Sequence, residues 1–210
     1  PDSSGASTVR LSLAATYRDA GRLDEAVNVH QQNLEDVTRI MGLDHPDTLT
    51  ARNQLAGAYQ DAGRLDEAIP LFEQNLADST RLAGPDHPHT LSSRSTLAGA
   101  YRDAGRLEEA IPLFEQNLDD VARILGLDHP GTLASRHSLA GAYRDVGRLD
   151  EAIPLFERNL ADFIRILGPD RPDTFTSRST LAGAYQAAGR LEEAIPLFEQ
   201  NLEDRTRTLG

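Results

Sequence analysis

The stretch LAGAYRDAGRLEEAIPLFEQNL, residues 97–118, returns almost letter for letter at 55–76, 139–160 and 181–202, and a more altered copy, LAATYRDAGRLDEAVNVHQQNL, fills 13–34. Tyr17, Tyr59, Tyr101, Tyr143 and Tyr185 stand 42 residues apart, and so do Gly21, Gly63, Gly105, Gly147 and Gly189. Five such periods take up all 210 positions, and 15 of the 42 columns hold one residue type throughout. Self-similarity at a period of roughly 20–50 residues marks a repeat array. The array divides into repeats 1–42, 43–84, 85–126, 127–168 and 169–210, a single domain expected to belong to a longer chain.

Each period reads as two helices. In the third repeat Asp86 is the expected N-cap, Pro88 is tolerable in the first turn, and Gly105 supplies the left-handed stop. Leu97, Ala100, Tyr101 and Ala104 fall at i, i+3, i+4 and i+7, the spacing of one buried helical face. A second helix is expected from about Arg106 to Leu125, with Leu107, Ala110, Ile111, Phe114, Leu118 and Val121 on one stripe. Pro112 lies inside it and removes a bond to the carbonyl of Glu108, so a local bend is expected there and at Pro70, Pro154 and Pro196. Neither helix covers its stripe alone. An antiparallel hairpin covers part and the neighbouring hairpin the rest, which makes stability a sum over neighbours.

Composition narrows the chemistry. The formal charge of -12 argues against gripping nucleic acid through a broad basic surface. All 21 basic residues are Arg, so neither Schiff-base chemistry nor a phosphate-loop lysine is available within the chain. With no Cys there is no disulfide, thiolate metal site or cysteine nucleophile. No apolar run approaches the roughly 20 residues of a membrane span, and a cytoplasmic protein without membrane contact is the expectation.

Leu97, Tyr101, Gly105, Ala110 and Phe114, at their intervals, resemble the tetratricopeptide repeat family. The usual repeat of that family has about 34 residues. The longer period here, with AIPLFEQNL followed by a tail such as RILGLDHP at 123–130, is similar to the long repeats of kinesin light chains and of actinobacterial nucleotide-binding switch ATPase sensor arrays. The resemblance implies an all-α fold, a right-handed α-solenoid of ten helices in five helix-turn-helix repeats. It also implies a non-catalytic scaffold for protein partners, with the first helices lining a concave face. Two positions depart from the family pattern. Arg52, Arg94, Arg136 and Arg178 stand where a large aromatic is usual, and Asn75, Asn117 and Asn159 replace a small residue. Buried Asn must find hydrogen-bond partners, so an Asn and Arg ladder tying successive repeats is expected, with a half-exposed polar row as the alternative.

The first-helix columns sum to +4, the second-helix columns to -10 and the connecting loops to -6. The implied groove is therefore the least acidic surface of an acidic chain. The family's geometry implies that Asn53 and Gln60 line it in the second repeat, with Ser95, Arg102 and Asp103 in the third. His137, Arg144 and Asp145 follow in the fourth repeat, and Ser179 and Gln186 in the fifth. Kinesin light chains hold acidic peptides with an Asn and an Arg at the columns of Asn53 and Arg102, which implies an extended acidic peptide held by Arg102 and Arg144. Gly57, Gly99, Gly141 and Gly183 sit mid-helix at a cost of about 0.5–1 kcal/mol each. Close approach of neighbouring helices is the first explanation, and room for a ligand backbone the second.

Other signals carry less. DHPDT at 44–48 and DHPHT at 86–90 place Asp beside His, but His45, His87 and His129 give way to Arg171, so capping by the Asp explains the motif better than a metal. No metal, cofactor or catalytic site is expected, since no Ser, His and Asp converge at one unique place. The terminal repeats are only partly polar: His30 and Asn28 replace Phe and Pro in the first, and Arg205 and Thr208 replace Phe and Ile in the fifth. Self-association by end-to-end stacking is the alternative function.

Overall fold

The computed structural model describes residues 3–209, with side chains from 7 to 207. Two compact units divide the chain, Pro1–Arg106 and Leu107–Gly210. The first holds α1 (Ser3–Asp19), α2 (Leu23–Met41), α3 (Pro46–Asp61), α4 (Leu65–Ala83) and α5 (Pro88–Asp103). The second holds α6 (Leu107–Leu125), α7 (Pro130–Asp145), α8 (Leu149–Leu167), α9 (Pro172–Ala187) and α10 (Leu191–Leu209). There is no strand among the described residues. Within each unit every helix packs on the next in sequence, so odd-numbered helices are the first, and even-numbered helices the second, of each repeat.

The turn inside each hairpin is fixed by backbone geometry. Gly63 adopts φ +72°, the Arg64 N–H donates to the Tyr59 carbonyl at 2.8 Å, and the Gly63 N–H donates to the Gln60 carbonyl at 2.9 Å. This is the paired closure that a left-handed glycine makes possible. Arg64 then lies over the Tyr59 ring at 4.7 Å, and the same stacking recurs in all five repeats, at 4.4 to 4.7 Å.

Loops between repeats are fastened differently. His45, His87 and His129, rather than the preceding Asp, are the N-caps of α3, α5 and α7: each ring Nδ1 accepts the backbone N–H two residues on, at 3.0 to 3.1 Å. The imidazole reaches this donor because Pro at the first helical position has none. Arg171 makes no such bond. Buried Thr48, Thr90, Thr132 and Thr174 donate back to the carbonyls of Gly42, Gly84, Gly126 and Gly168, the residues just after the preceding helices, at 2.6 to 2.8 Å.

The expected stripes supply most of the core, with Ala104, Leu107 and Leu118 only half-buried. Leu97, Ala100 and Tyr101 are buried on α5, and Ala110, Ile111, Phe114 and Val121 on α6. Pro70, Pro112, Pro154 and Pro196 lie at exposed positions of helices that continue unbroken through them. α10 leaves Leu191, Ile195, Phe198 and Leu202 exposed, whereas Ile153, Phe156 and Leu160 at the equivalent positions of α8 are buried. Arg205 is exposed, and the side chain of Thr208 lies outside the described residues.

Candidate functional site

The buried arginines close their own hairpins. Arg52 donates to Asp78, Arg136 to Asp162 and Arg178 to Asp204 at 2.7 to 2.8 Å, each pair joining the first and second helices of one repeat. Arg136 also reaches Asn159 Oδ1 at 3.3 Å. Two of the asparagines reach the next repeat, Asn75 donating to Ser93 and Asn117 to Ser135, at 3.4 and 3.3 Å, whereas the buried Asn159 Nδ2 has no partner. Arg94 is buried as well.

Each of these aspartates accepts a second arginine, which in turn holds the loop aspartate that was expected to cap the helix. Asp78, Arg81 and Asp44 form one such chain, as do Asp162, Arg165 and Asp128, and Asp204, Arg207 and Asp170. Burial pushes the Asp78 and Asp162 carboxyls up, but the hydrogen bonds and charges of their two arginines outweigh it and hold both below the usual carboxylate range. The sequence reading passed over these acids. Their signal was present: positions 36 and 39 of the period are Asp and Arg in all five repeats.

A second tie between repeats runs through tyrosine. Tyr101 donates to Glu73 of the preceding second helix at 2.6 Å, Tyr185 donates to Glu157 at 2.5 Å, and Tyr143 donates to Glu115. Burial first, then the carboxylate, pushes the Tyr143 and Tyr185 hydroxyls up to about 12.

The first-helix face is more varied. Gln60 donates to Asp103 at 2.6 Å, across the step from the second repeat to the third, and Arg102 lies 3.9 Å from Asp103. Ser95 is half-buried. In the second unit Arg144 pairs with Asp145 at 3.1 Å, the exposed His137 meets the Phe156 ring edge-on with centroids 5.5 Å apart, Ser179 accepts from the buried Asn201, and Gln186 is exposed. A Cβ added at Gly57, Gly99 or Gly183 would meet nothing within 4 Å. Close helix approach therefore does not explain these glycines, because the space over them is open. Gly141 is buried.

The first unit carries a cleft of about 380 Å³ between α1 and α3, floored by α2. Asn53 and Gly57 line one wall, Ala15 and Arg18 the other, and His30 the floor. The buried Asn53 Oδ1 and His30 Nδ1 have no hydrogen-bond partner. Among the described residues no group of three or more His, Cys, Asp or Glu side chains could hold a metal ion.

The sequence profile of the tetratricopeptide repeat matches residues 6–77, 50–119, 92–158 and 134–207. The chain belongs to the tetratricopeptide repeat family. Among solved structures it is similar to nearly identical TPR-like repeats from a Podosopora anserina protein described as a kinesin light chain. One crystal structure of these is 34% identical with a TM-score of 0.90 and covers 100% of this chain and 98% of that one; another is 35% identical with a TM-score of 0.86, covering 96% and 95%. BtubC (BKLC) from P. vanneervenii shares the fold at 21% identity and TM-score 0.81, covering 94% of this chain and 79% of that one. No curated protein matches. The fold class is thus that of tetratricopeptide helix-turn-helix repeats, all-α and of the solenoid type, a fold that serves generally as a protein-interaction scaffold. No described helix is long and apolar enough to cross a membrane.

Proposed function

We propose that the chain is a non-catalytic, cytoplasmic scaffold that holds extended peptide or protein segments on the first-helix faces of its two units. The observation that carries the reading is the open space over Gly57, Gly99 and Gly183 on helices whose opposite side is closely packed. A glycine kept in a helix at such a cost, with no neighbour to accommodate, leaves room for a main chain from outside. The polar groups beside the glycines, Asn53, Gln60 and Arg102 in the first unit and His137, Arg144 and Gln186 in the second, supply donors and acceptors to such a segment. Acidic segments are favoured by the charge difference between first and second helices, although they must compete with Asp103 for Arg102 and with Asp145 for Arg144. The test is affinity for peptides selected from a random library. Arg102→Glu or Arg144→Glu is expected to weaken acidic peptides at least about tenfold with the helical signal unchanged, and unaltered affinity in both variants overturns the acidic preference.

A second reading is favoured by the exposed Leu191, Ile195, Phe198 and Leu202 of α10. In the other repeats this stripe receives the first helix of the following repeat, and α1 of a second copy, with Val9 and Leu13 exposed, offers a related surface. Sedimentation across a wide concentration range distinguishes the readings: growth in mass without peptide supports stacking, and a constant monomer mass excludes it.

A further inference from the structure

The cleft between α1 and α3 differs from the equivalent step between α3 and α5. There, Phe72 is buried at the floor position and Gln60 bridges to Asp103 across the mouth. Here the floor residue is His30, and Arg18 and Asp61 line the same cleft without forming an ion pair with each other. Arg18 has only its neighbour Asp19 at 3.6 Å. One substitution of Phe by His, and one of Gln by Arg, thus open a polar cavity where the next repeat is plugged and bridged.

The chemistry of the cavity is set by four groups. Asn53 Oδ1 accepts hydrogen bonds and is unpaired. His30 Nδ1 is also unpaired, and burial first, then Arg18, lowers the pKa of the ring, with Asp61 opposing. A neutral ring protonated on Nε2 presents Nδ1 as a second acceptor. Arg18 of α1 and Asp61 of α3 are the charged groups that act on the ring, with opposite signs and Arg18 the stronger. A cation entering this site meets Arg18, an anion meets Asp61, and either must be desolvated on a floor that already disfavours charge. A neutral group with two N–H donors and one acceptor oxygen is desolvated at lower cost and finds an acceptor for each N–H.

Building on the peptide-scaffold reading, we propose that this cleft is a side-chain subsite for a primary carboxamide, the side chain of Gln or Asn in a bound peptide. Its two N–H bonds go to Asn53 Oδ1 and His30 Nδ1, and its carbonyl oxygen accepts from Arg18. The open space over Gly57 lies on the same wall, where the peptide main chain runs past. His30 is then a specificity-determining residue peculiar to the first repeat.

The test uses the full chain and three blocked tripeptides, Gly-Gln-Gly, Gly-Glu-Gly and Gly-Lys-Gly, titrated while the His30 ring is followed by NMR. The Gln peptide is expected to bind about fivefold or more tightly than the other two, as a site that loses a hydrogen bond or buries a charge discriminates, and to move the His30 titration to still lower pH. His30→Phe, which introduces the residue that the second, third and fourth repeats bury at this position, is expected to keep the fold and abolish the preference; Asn53→Ala is expected to weaken the Gln peptide about tenfold. Equal binding of the three peptides, tighter binding of the Glu peptide with an upward His30 shift, or an unchanged preference in His30→Phe overturns the subsite. If library-selected peptides still bind while the Gln preference is absent, the subsite fails and the scaffold reading stands; if those peptides fail as well, the scaffold reading falls with it.

Discussion

Replacing Asp162 with Asn probes what keeps a hairpin closed. Arg136, with 3% of its side chain exposed, donates to Asp162 at 2.7 Å, and Asp162 also accepts from Arg165 at 3.0 Å. Removing one member of a buried ion pair typically costs about 3–5 kcal/mol, because the other charge stays dry and uncompensated. The cost here is smaller: Asp162 is 15% exposed, Arg136 keeps its 3.3 Å bond to Asn159, and the amide retains an acceptor oxygen. We expect Asp162→Asn to cost about 2–3 kcal/mol, and the double variant Arg136→Met with Asp162→Leu to cost about 1–3 kcal/mol, set by the buried Asn159 Oδ1 that loses its donor. Urea unfolding followed by circular dichroism gives the comparison, with hydrogen exchange alongside because repeats need not unfold together. Acid supplies an independent reading. Since the arginines hold Asp162 below the usual carboxylate range against the push of burial, the stability it contributes is full above the unfolded value of about 3.9 and is lost as pH falls through the folded one. Asp162→Asn should flatten that limb. An effect no larger than that of Asp128→Asn, at the 62% exposed end of the same chain of charges, refutes the reasoning.

Alkaline pH acts on the tie between repeats. Because the Tyr143 and Tyr185 hydroxyls are raised to about 12, the stability they contribute is complete below about 10 and is lost between 10 and 12. Tyr143→Phe with Tyr185→Phe should remove that loss, and an unchanged alkaline limb contradicts the assignment. His129→Ala should cost about 0.5–2 kcal/mol and speed exchange of the Gly131 N–H, while His129→Asn keeps most of the cap; equal stability of the two variants would show that the ring is not the cap. Gly99→Ala should raise stability by about 0.5–1 kcal/mol, since its methyl enters open space, and a loss would mean that the helices crowd there after all.

Periodicity read the helices well because burial repeats with them. Tyr59, Tyr101, Tyr143 and Tyr185, and Phe72, Phe114 and Phe156, are core residues, and Gly105 stops its helix in the left-handed region. Capping was misread because Asp is a strong generic N-cap, whereas here the loop turns Asp44 outward to Arg81 and brings the next residue's ring to the free N–H. The buried arginines stood out in the sequence, but their partners lie 26 residues away on the other helix, at a column that looked like ordinary surface acid. Invariance of that column across the repeats was the available clue. Space over a glycine has no sequence signature, and neither does an unpaired atom. The cleft of the first repeat became visible only when His30, noticed as an irregularity, was seen beside Asn53.

Hydrogen–deuterium exchange of the full chain with and without a library-selected peptide is the most direct test of the scaffold reading. Slowed exchange is expected along the first helices, around Asn53, Gly57 and Gly99 in the first unit and Gly183 in the second. Protection confined to the second helices, or to the bare stripe of α10, contradicts it.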